Sequence, residues 1–143
     1  FDTFSEFPDT EFQDDKKIRE KLISVAGDQS ISKMQLKDVL KHKNIFKNIE
    51  LIDGDIITTV PDYIATHPEL KVSLLNLDVD IYEPSVTILG HLYSRIVKGG
   101  VLVLDDYGTF PGETKAVDDF FKDQKMSIRK FPYCTTPSYI IKD

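Results

Sequence analysis

Two acidic pairs, each directly after an apolar run, are the residues of this chain best suited to chemistry. The pair Asp78/Asp80 follows residues 72–77, and the pair Asp105-Asp106 follows residues 100–104. Carboxylates that converge in this way repel one another unless a cation, a proton or a basic group neutralises them. The pattern therefore predicts a site that either holds a metal ion or performs acid–base chemistry.

The two apolar runs also predict the elements that place these carboxylates. Runs rich in Val and Leu are typical of buried parallel strands, and ligands bind at the carboxyl ends of such strands in an open α/β sheet. Pro84 predicts the start of a helix between the runs, because its missing N–H costs nothing in a first turn. The separation of Asp78 from Asp105 fits one crossover helix with its two strands.

Helical spacing, caps and turn residues predict the remaining elements. These are a helix from Asp14 to Ala26 that stops at Gly27, a helix capped by Ser32, a short strand from Asn48 to Ile52, a helix from Pro61 to Thr66, a strand boundary at Gly99-Gly100, a helix from Gly112 to Gln124, and final strands over 127–131 and 138–141. The order predicts an α/β fold with a doubly wound, Rossmann-like sheet. We expect a mostly parallel sheet with a C-terminal antiparallel strand pair, in one domain over residues 1–143.

Composition narrows the classes of partner and compartment. A net charge of -6 argues against nucleic acid as the main partner, since no basic field exists to meet phosphates. The single cysteine, Cys134, excludes an internal disulfide and a cysteine-based zinc site. No apolar run approaches the ~20 residues needed to cross a membrane, and no signal peptide is visible. We therefore expect a cytoplasmic protein without a membrane partner.

Four blocks in series resemble one known family. They are residues 1–8, 53–56, 77–84 and 99–108, followed by a matching helix at 115–120. In this order and spacing they resemble the macrocin O-methyltransferase family of S-adenosylmethionine-dependent enzymes, from Phe1 to about Phe121. The resemblance implies O-methyl transfer to a hydroxyl of a sugar or a sugar-bearing natural product. It also places the family's first strand and glycine-rich loop upstream of Phe1, so we expect the functional protein to be longer, and Glu6 stands where the family usually has Gly.

The resemblance assigns roles to the acidic pairs. It implies that Asp78, Asp105 and Asp106 hold Mg²⁺ or a similar divalent cation, for which hard carboxylate oxygens are suitable ligands. The competing explanation is that these residues cap the helices that follow. Asp80 is the candidate general base, with a second metal ligand or a loop hydrogen-bond acceptor as the alternatives. Asp78 is the other candidate catalytic residue.

Acidic residues at the ends of two further predicted strands are candidates for binding the cofactor. Asp2 follows the presumed second strand, where an acidic residue typically accepts hydrogen bonds from ribose hydroxyls. The resemblance implies that Asp55, next to Gly54, reaches the adenine amino group. Asx-type turns are the alternative for both carboxylates. Tyr82 and Tyr107 flank the site, where they line the acceptor pocket or serve packing.

Residues 14–47 are long for a simple crossover, and we expect them to form a helical lid over the acceptor. Such lids often lie near dimer contacts, so a homodimer is compatible with the sequence.

Two other functions remain open at this point. Asp78 and Asp80 also match the DxD of metal-dependent glycosyltransferases that use nucleotide sugars, although Asp105-Asp106 is then unexplained. A degenerate module without catalysis is the second, against which the four clustered carboxylates argue.

Overall fold

The computed structural model describes all 143 residues as a mixed α/β fold. Its elements in chain order are α1 Gln13–Ala26, α2 Lys33–His42, α3 Ile56–Thr66, β1 Val72–Leu77, α4 Tyr82–Leu92, a 3₁₀ turn Tyr93–Arg95, β2 Ile96–Leu104, α5 Pro111–Phe121, β3 Arg129–Lys130 and β4 Ser138–Ile141. None of these helices is long and apolar enough to cross a membrane.

A four-stranded sheet in the order β1-β2-β4-β3 organises the chain. β1 and β2 pair in parallel through the α4 crossover, as the apolar runs predict. β4 pairs antiparallel with both β2 and β3, which confirms the predicted C-terminal antiparallel pair. Only one of the three pairings in this sheet is parallel, so the prediction of a mostly parallel sheet is wrong for these four strands. One further parallel bridge joins Asp2 to Asp53 outside this sheet.

The core lies between the sheet and the crossover helix α4. Leu77, Leu102 and Leu104 on the strands are at most 1% exposed, as is Leu89 on α4. Fully burying such a side chain contributes roughly 1.5–3 kcal/mol relative to leaving it in water. This packing fixes the two strand ends on which the acidic pairs stand.

Local sequence explains where the first two helices begin and end. Ser32 caps α2 in a reciprocal capping box, in which its hydroxyl accepts from the Gln35 N–H and the Gln35 side chain accepts from the Ser32 N–H. Gly27 ends α1 with a φ of 83°, a conformation that favours glycine. Both boundaries agree with the sequence prediction.

Three further sequence predictions need correction. Residues 48–52 do not form a strand, because only the single bridge at Asp53 joins this segment to a neighbour. The helix predicted from Pro61 begins five residues earlier, at Ile56, because the Asp55 carboxylate accepts from the Ile57 N–H and caps it. Gly99 and Gly100 lie inside β2 rather than before it.

These glycines accommodate an irregularity in the β1–β2 pairing. The register shifts between Val72 and Leu74, which leaves extra residues on β2. Gly99 has a φ of +76°, and a Cβ on Gly100 would lie 3.0 Å from the Ser73 carbonyl oxygen. A side chain at either position would strain the backbone or collide with β1.

Candidate functional site

The parallel pairing of β1 and β2 brings the two acidic pairs together. Leu77 pairs with Leu104, and the Asp105 N–H continues the ladder by donating to the Leu77 carbonyl at 3.0 Å. The loops that follow therefore start side by side. Carboxylate oxygens of Asp78, Asp105 and Asp106 all lie within 4.8 Å of one another. The three residues predicted to hold a metal are thus gathered at one point.

Asp80 lies in a tight turn beside this cluster. The Ile81 N–H donates to the Val79 carbonyl at 2.6 Å, and Asp80, at the centre of this three-residue turn, has a φ of 62°. Asp tolerates this left-handed region better than most residues, but the conformation still costs about 1–3 kcal/mol. In its protonated form, the Asp80 carboxyl donates a hydrogen bond to the Asp106 carboxylate. The turn therefore holds Asp80 against the three clustered carboxylates.

Crowding and burial make these acids harder to ionise. Burial, followed by the charges of Asp105 and Asp106, raises the pKa of Asp78. Burial and the hydrogen bond to Asp106 raise the pKa of Asp80 to about 7. Burial raises the pKa of Asp106 as well. A divalent cation among these oxygens would reverse the effect, and the all-oxygen donor set fits the ligand preference of Mg²⁺.

Glu113 is a fifth acidic residue of the site, and the sequence analysis did not identify it. Its side chain is 0% exposed in the first turn of α5. Its N–H donates to the Asp80 carbonyl and its Oε1 accepts from the Asp106 N–H, both at 3.1 Å. Its Oε2 has no hydrogen-bond partner. Glu113 therefore ties the two acidic loops to each other through α5.

Glu113 also gives the site a pH dependence. Burial, offset in part by the hydrogen bond from Asp106, raises its pKa from 4.5 to about 8. Because the folded state retains this proton over a range where the unfolded chain has lost it, stability falls as the pH rises from about 4.5 to about 8. The slope for one retained proton is at most about 1.4 kcal/mol per pH unit.

We expect EDTA-treated protein to be more stable at pH 5.5 than at pH 8, and Glu113→Gln to reduce that difference because glutamine does not titrate. Urea unfolding at a series of pH values measures both slopes. Glu20→Gln, at an exposed position on α1, controls for the loss of one negative charge. Equal slopes for wild type and Glu113→Gln would contradict this assignment.

A cleft of about 490 Å³ connects the Asp78/Asp80 loop, but not Asp105 or Asp106, to the predicted cofactor residues. Asp2, Asp55, Asp78 and Asp80 all line it. Gly54, the third predicted cofactor residue, does not line the cleft; its N–H donates to the Asp2 carbonyl at 3.0 Å. The candidate cofactor and catalytic residues therefore share one continuous space.

Asp2 and Asp55 also accept the local backbone hydrogen bonds expected if these residues serve Asx-type turns. Oδ1 of Asp2 accepts from the Phe4 N–H at 2.6 Å, and Oδ1 of Asp55 caps α3 at 2.9 Å. These bonds fix the orientation of both carboxylates at the cleft wall.

Neither tyrosine beside the acidic loops lines the cleft. The Tyr82 hydroxyl donates to Asp119 at 3.0 Å and the Tyr107 hydroxyl donates to Asp118 at 2.8 Å. Both rings are thereby held against α5. Of the two predicted roles for these tyrosines, packing therefore agrees with the structure better than lining the acceptor pocket.

Comparison with known proteins places this chain in a family. The model of the macrocin O-methyltransferase (TylF) family matches residues 1–130. Demethyldecarbamoylnovobiocin O-methyltransferase of Streptomyces niveus is 29% identical over 104 residues, which are 66% of this chain and 39% of that protein.

Solved structures agree with this match. The O-methyltransferase NovP has a TM-score of 0.83 at 22% identity over 99% of this chain and 57% of its own. The calicheamicin methyltransferase CalS11 has a TM-score of 0.77 at 26% identity over 98% and 58%. Its apo form, a TDP-rhamnose 3'-O-methyltransferase, has a TM-score of 0.65 at 27% identity over 76% and 51%. The chain thus spans less than two thirds of the length of each of these proteins.

These neighbours confirm the Rossmann-like α/β fold class that the sequence predicts. The family match covers most of the chain and includes all four acidic residues of the two strand-end loops. The chain belongs to the macrocin O-methyltransferase family.

Proposed function

We propose that the protein containing this chain transfers a methyl group from S-adenosylmethionine to a hydroxyl of a small molecule, with the help of a divalent cation. The observation that carries the proposal is the convergence of Asp78, Asp105 and Asp106 beside Asp80. Asp78 and Asp80 line a cleft that Asp2 also lines. Family membership supports the methyl donor. The sugar specificity of CalS11, a TDP-rhamnose 3'-O-methyltransferase, supports a sugar or a sugar-bearing natural product as the acceptor.

The residues divide the chemistry between them. Asp78, Asp105 and Asp106 would hold Mg²⁺ or a similar cation, which lowers the pKa of a bound hydroxyl and orients it. Asp80 accepts the hydroxyl proton as the new O–CH₃ bond forms and the S–CH₃ bond of the donor breaks. The tight turn at Asp80 keeps that carboxyl in place beforehand, so little reorganisation accompanies the transfer.

Asp2 and Asp55 bind the adenosine part of the donor in this proposal. Asp2 is itself one residue of the Asp2–Asp53 bridge, Asp55 follows Asp53 by two residues, and both carboxylates line the cleft that reaches Asp78. Asp2 accepts from the ribose hydroxyls and Asp55, with Gly54 behind it, faces the adenine amino group. Hydrogen bonds to charged groups of this kind contribute about 1.5–3 kcal/mol each.

Asp2→Asn should weaken the binding of S-adenosylhomocysteine about tenfold, because the charge is lost while the local bond to Phe4 remains available to the amide oxygen. Calorimetric titration measures this change. Asp53→Asn is the matched control, since Asp53 is exposed and does not line the cleft. If both variants bind equally well, the ribose role of Asp2 is wrong.

The activity itself is tested on the complete natural polypeptide that carries this sequence. S-adenosylmethionine, MgCl₂ and TDP-rhamnose or related sugar nucleotides are supplied, and release of S-adenosylhomocysteine is followed. We expect release that depends on both the sugar and the cation. Release of a nucleoside diphosphate without use of S-adenosylmethionine would instead support a glycosyltransferase, which family membership does not favour.

Four further points stay predictions. They are the helical lid at residues 14–47, the homodimer, the absence of a nucleic-acid or membrane partner, and the cytoplasmic setting. Within the lid segment, α1 and α2 form as predicted. Deletion of α2 that left the acceptor KM unchanged would remove the lid hypothesis.

A further inference from the structure

One buried carboxylate joins three helices beneath the acidic loops. Asp15, in the first turn of α1, is 1% exposed. Its Oδ2 accepts from the Tyr82 N–H at 2.9 Å and its Oδ1 accepts from the Gly112 N–H at 2.8 Å. Tyr82 is the first residue of α4 and Gly112 is the second residue of α5. A single side chain from α1 therefore caps the amino termini of both helices that follow the acidic loops.

A second carboxylate, on α4, caps the amino terminus of α1 in turn. Glu83, in the first turn of α4, accepts from the Glu11 N–H at 2.8 Å and the Phe12 N–H at 3.1 Å. It also accepts from the Thr10 hydroxyl at 2.8 Å. Phe12 is the N-cap residue of α1 and has no cap from its own side chain. The two helices thus exchange carboxylates at their positive ends, a favourable arrangement with the helix dipoles.

The packing around Asp15 leaves no room for adjustment. A Cβ added to Gly112 would lie 2.5 Å from the Tyr82 nitrogen and would overlap the Asp15 carboxylate. α4 begins two residues after Asp80, and α5 begins five residues after Asp106. A shift of either helix terminus is therefore passed directly to the loop that precedes it.

We infer that Asp15 is a positioning residue that sets the distance between the Asp78/Asp80 loop and the Asp105-Asp106 loop, and through it the affinity of the site for a divalent cation. The inference rests on the proposed function. Loss of the carboxylate leaves two buried N–H donors without an acceptor, and they regain water only if α4 and α5 move apart. Outer residues that orient metal ligands typically change affinity or activity by 10–100-fold when replaced.

The test compares two neighbouring substitutions in the complete natural polypeptide. Asp15→Asn keeps the size of the side chain but turns an amide NH₂ toward one of the two N–H donors. Asp14→Asn removes the same charge from the same helical turn at an exposed position. Calorimetric titration of MgCl₂ with S-adenosylhomocysteine present should show about tenfold weaker Mg²⁺ binding for Asp15→Asn and no change for Asp14→Asn.

Two further readouts separate positioning from a loss of structure. Affinity for S-adenosylhomocysteine should stay within about twofold for Asp15→Asn, since Asp2 and Asp55 lie on other segments, and kcat should fall more than the acceptor KM changes. Should Asp15→Asn fail to fold, Glu83→Gln weakens the reciprocal cap and should lower Mg²⁺ affinity in the same direction, by about threefold.

Three results would overturn the inference. Equal Mg²⁺ affinities for Asp14→Asn and Asp15→Asn, with a wild type that binds Mg²⁺, would remove the role of Asp15 alone. An unchanged affinity in Glu83→Gln, where Asp15→Asn does not fold, would do the same. A wild type that does not bind Mg²⁺ would remove the cation from the proposed function and this inference with it.

Discussion

Asp80→Asn is expected to lower kcat for methyl transfer by about 100-fold or more, because a positioned general base typically contributes between 100- and 10,000-fold. Asn has nearly the same shape as Asp and also tolerates a positive φ, so the turn between Val79 and Ile81 is retained. Single-turnover transfer of a labelled methyl group measures the effect without interference from product release.

The same variant separates two of the roles considered for Asp80, general base and metal ligand. A base that does not ligate the cation leaves Mg²⁺ affinity near that of the wild type while kcat falls, whereas loss of a ligand lowers Mg²⁺ affinity as well. Asp123→Asn, at an exposed position after α5, is the control and should not affect either quantity. A variant at Asp80 with wild-type kcat would contradict the assignment of the base.

Removal of divalent cations is the second change with a large expected effect. EDTA should lower kcat about 100-fold, since polarisation of the acceptor oxygen by a metal ion contributes several kcal/mol and each 1.36 kcal/mol is tenfold in rate. Addition of MgCl₂ should restore the rate. Asp106→Asn should raise the MgCl₂ concentration that gives half-maximal restoration, because it removes one of the three clustered carboxylates.

Full activity in EDTA, with no response of Asp106→Asn to MgCl₂, would contradict the assignment of a metal site. It would leave the assignment of S-adenosylmethionine as the methyl donor unaffected. The cluster would then be an acid–base site, in which burial and the hydrogen bond to Asp106 raise the pKa of Asp80 to about 7. S-adenosylhomocysteine binding, measured in parallel, shows that EDTA has not damaged the cofactor cleft.

The sequence predicts the acidic cluster because its geometry follows from strand pairing. Asp78 and Asp105 come directly after two apolar strands whose last residues, Leu77 and Leu104, are partners in the parallel sheet. Carboxyl ends of neighbouring parallel strands meet at one sheet edge, so recognising both strands is enough to bring the acids together. The capping box at Ser32 is equally local and equally predictable.

Positions fixed by tertiary contacts are not visible in the sequence. Asp14 and Asp15 are adjacent acids in one helical turn, yet only Asp15 is buried, because Tyr82 and Gly112 reach it from distant parts of the chain. From the sequence, Glu113 is an ordinary acidic residue in the first turn of a helix, where its charge interacts favourably with the helix dipole. Its burial depends on the backbones of Asp80 and Asp106, which no local pattern specifies.

The errors in the predicted elements have the same origin. Residues 48–52 are predicted to form a strand, but a strand forms only where a neighbour supplies a hydrogen-bonded ladder. The single bridge between Asp2 and Asp53 is the only strand pairing next to this segment. Two consecutive glycines such as Gly99 and Gly100 are typical of the boundary between two secondary-structure elements. Here they instead accommodate a register shift within β2.

The most direct test of the central claim is calorimetric titration of S-adenosylhomocysteine into the complete natural polypeptide, with MgCl₂ and again in EDTA. We expect saturable binding of S-adenosylhomocysteine in both conditions, and a separate Mg²⁺ site that Asp106→Asn weakens. Failure of S-adenosylhomocysteine to bind in either condition would contradict a methyltransferase and leave the acidic cluster without its proposed reaction.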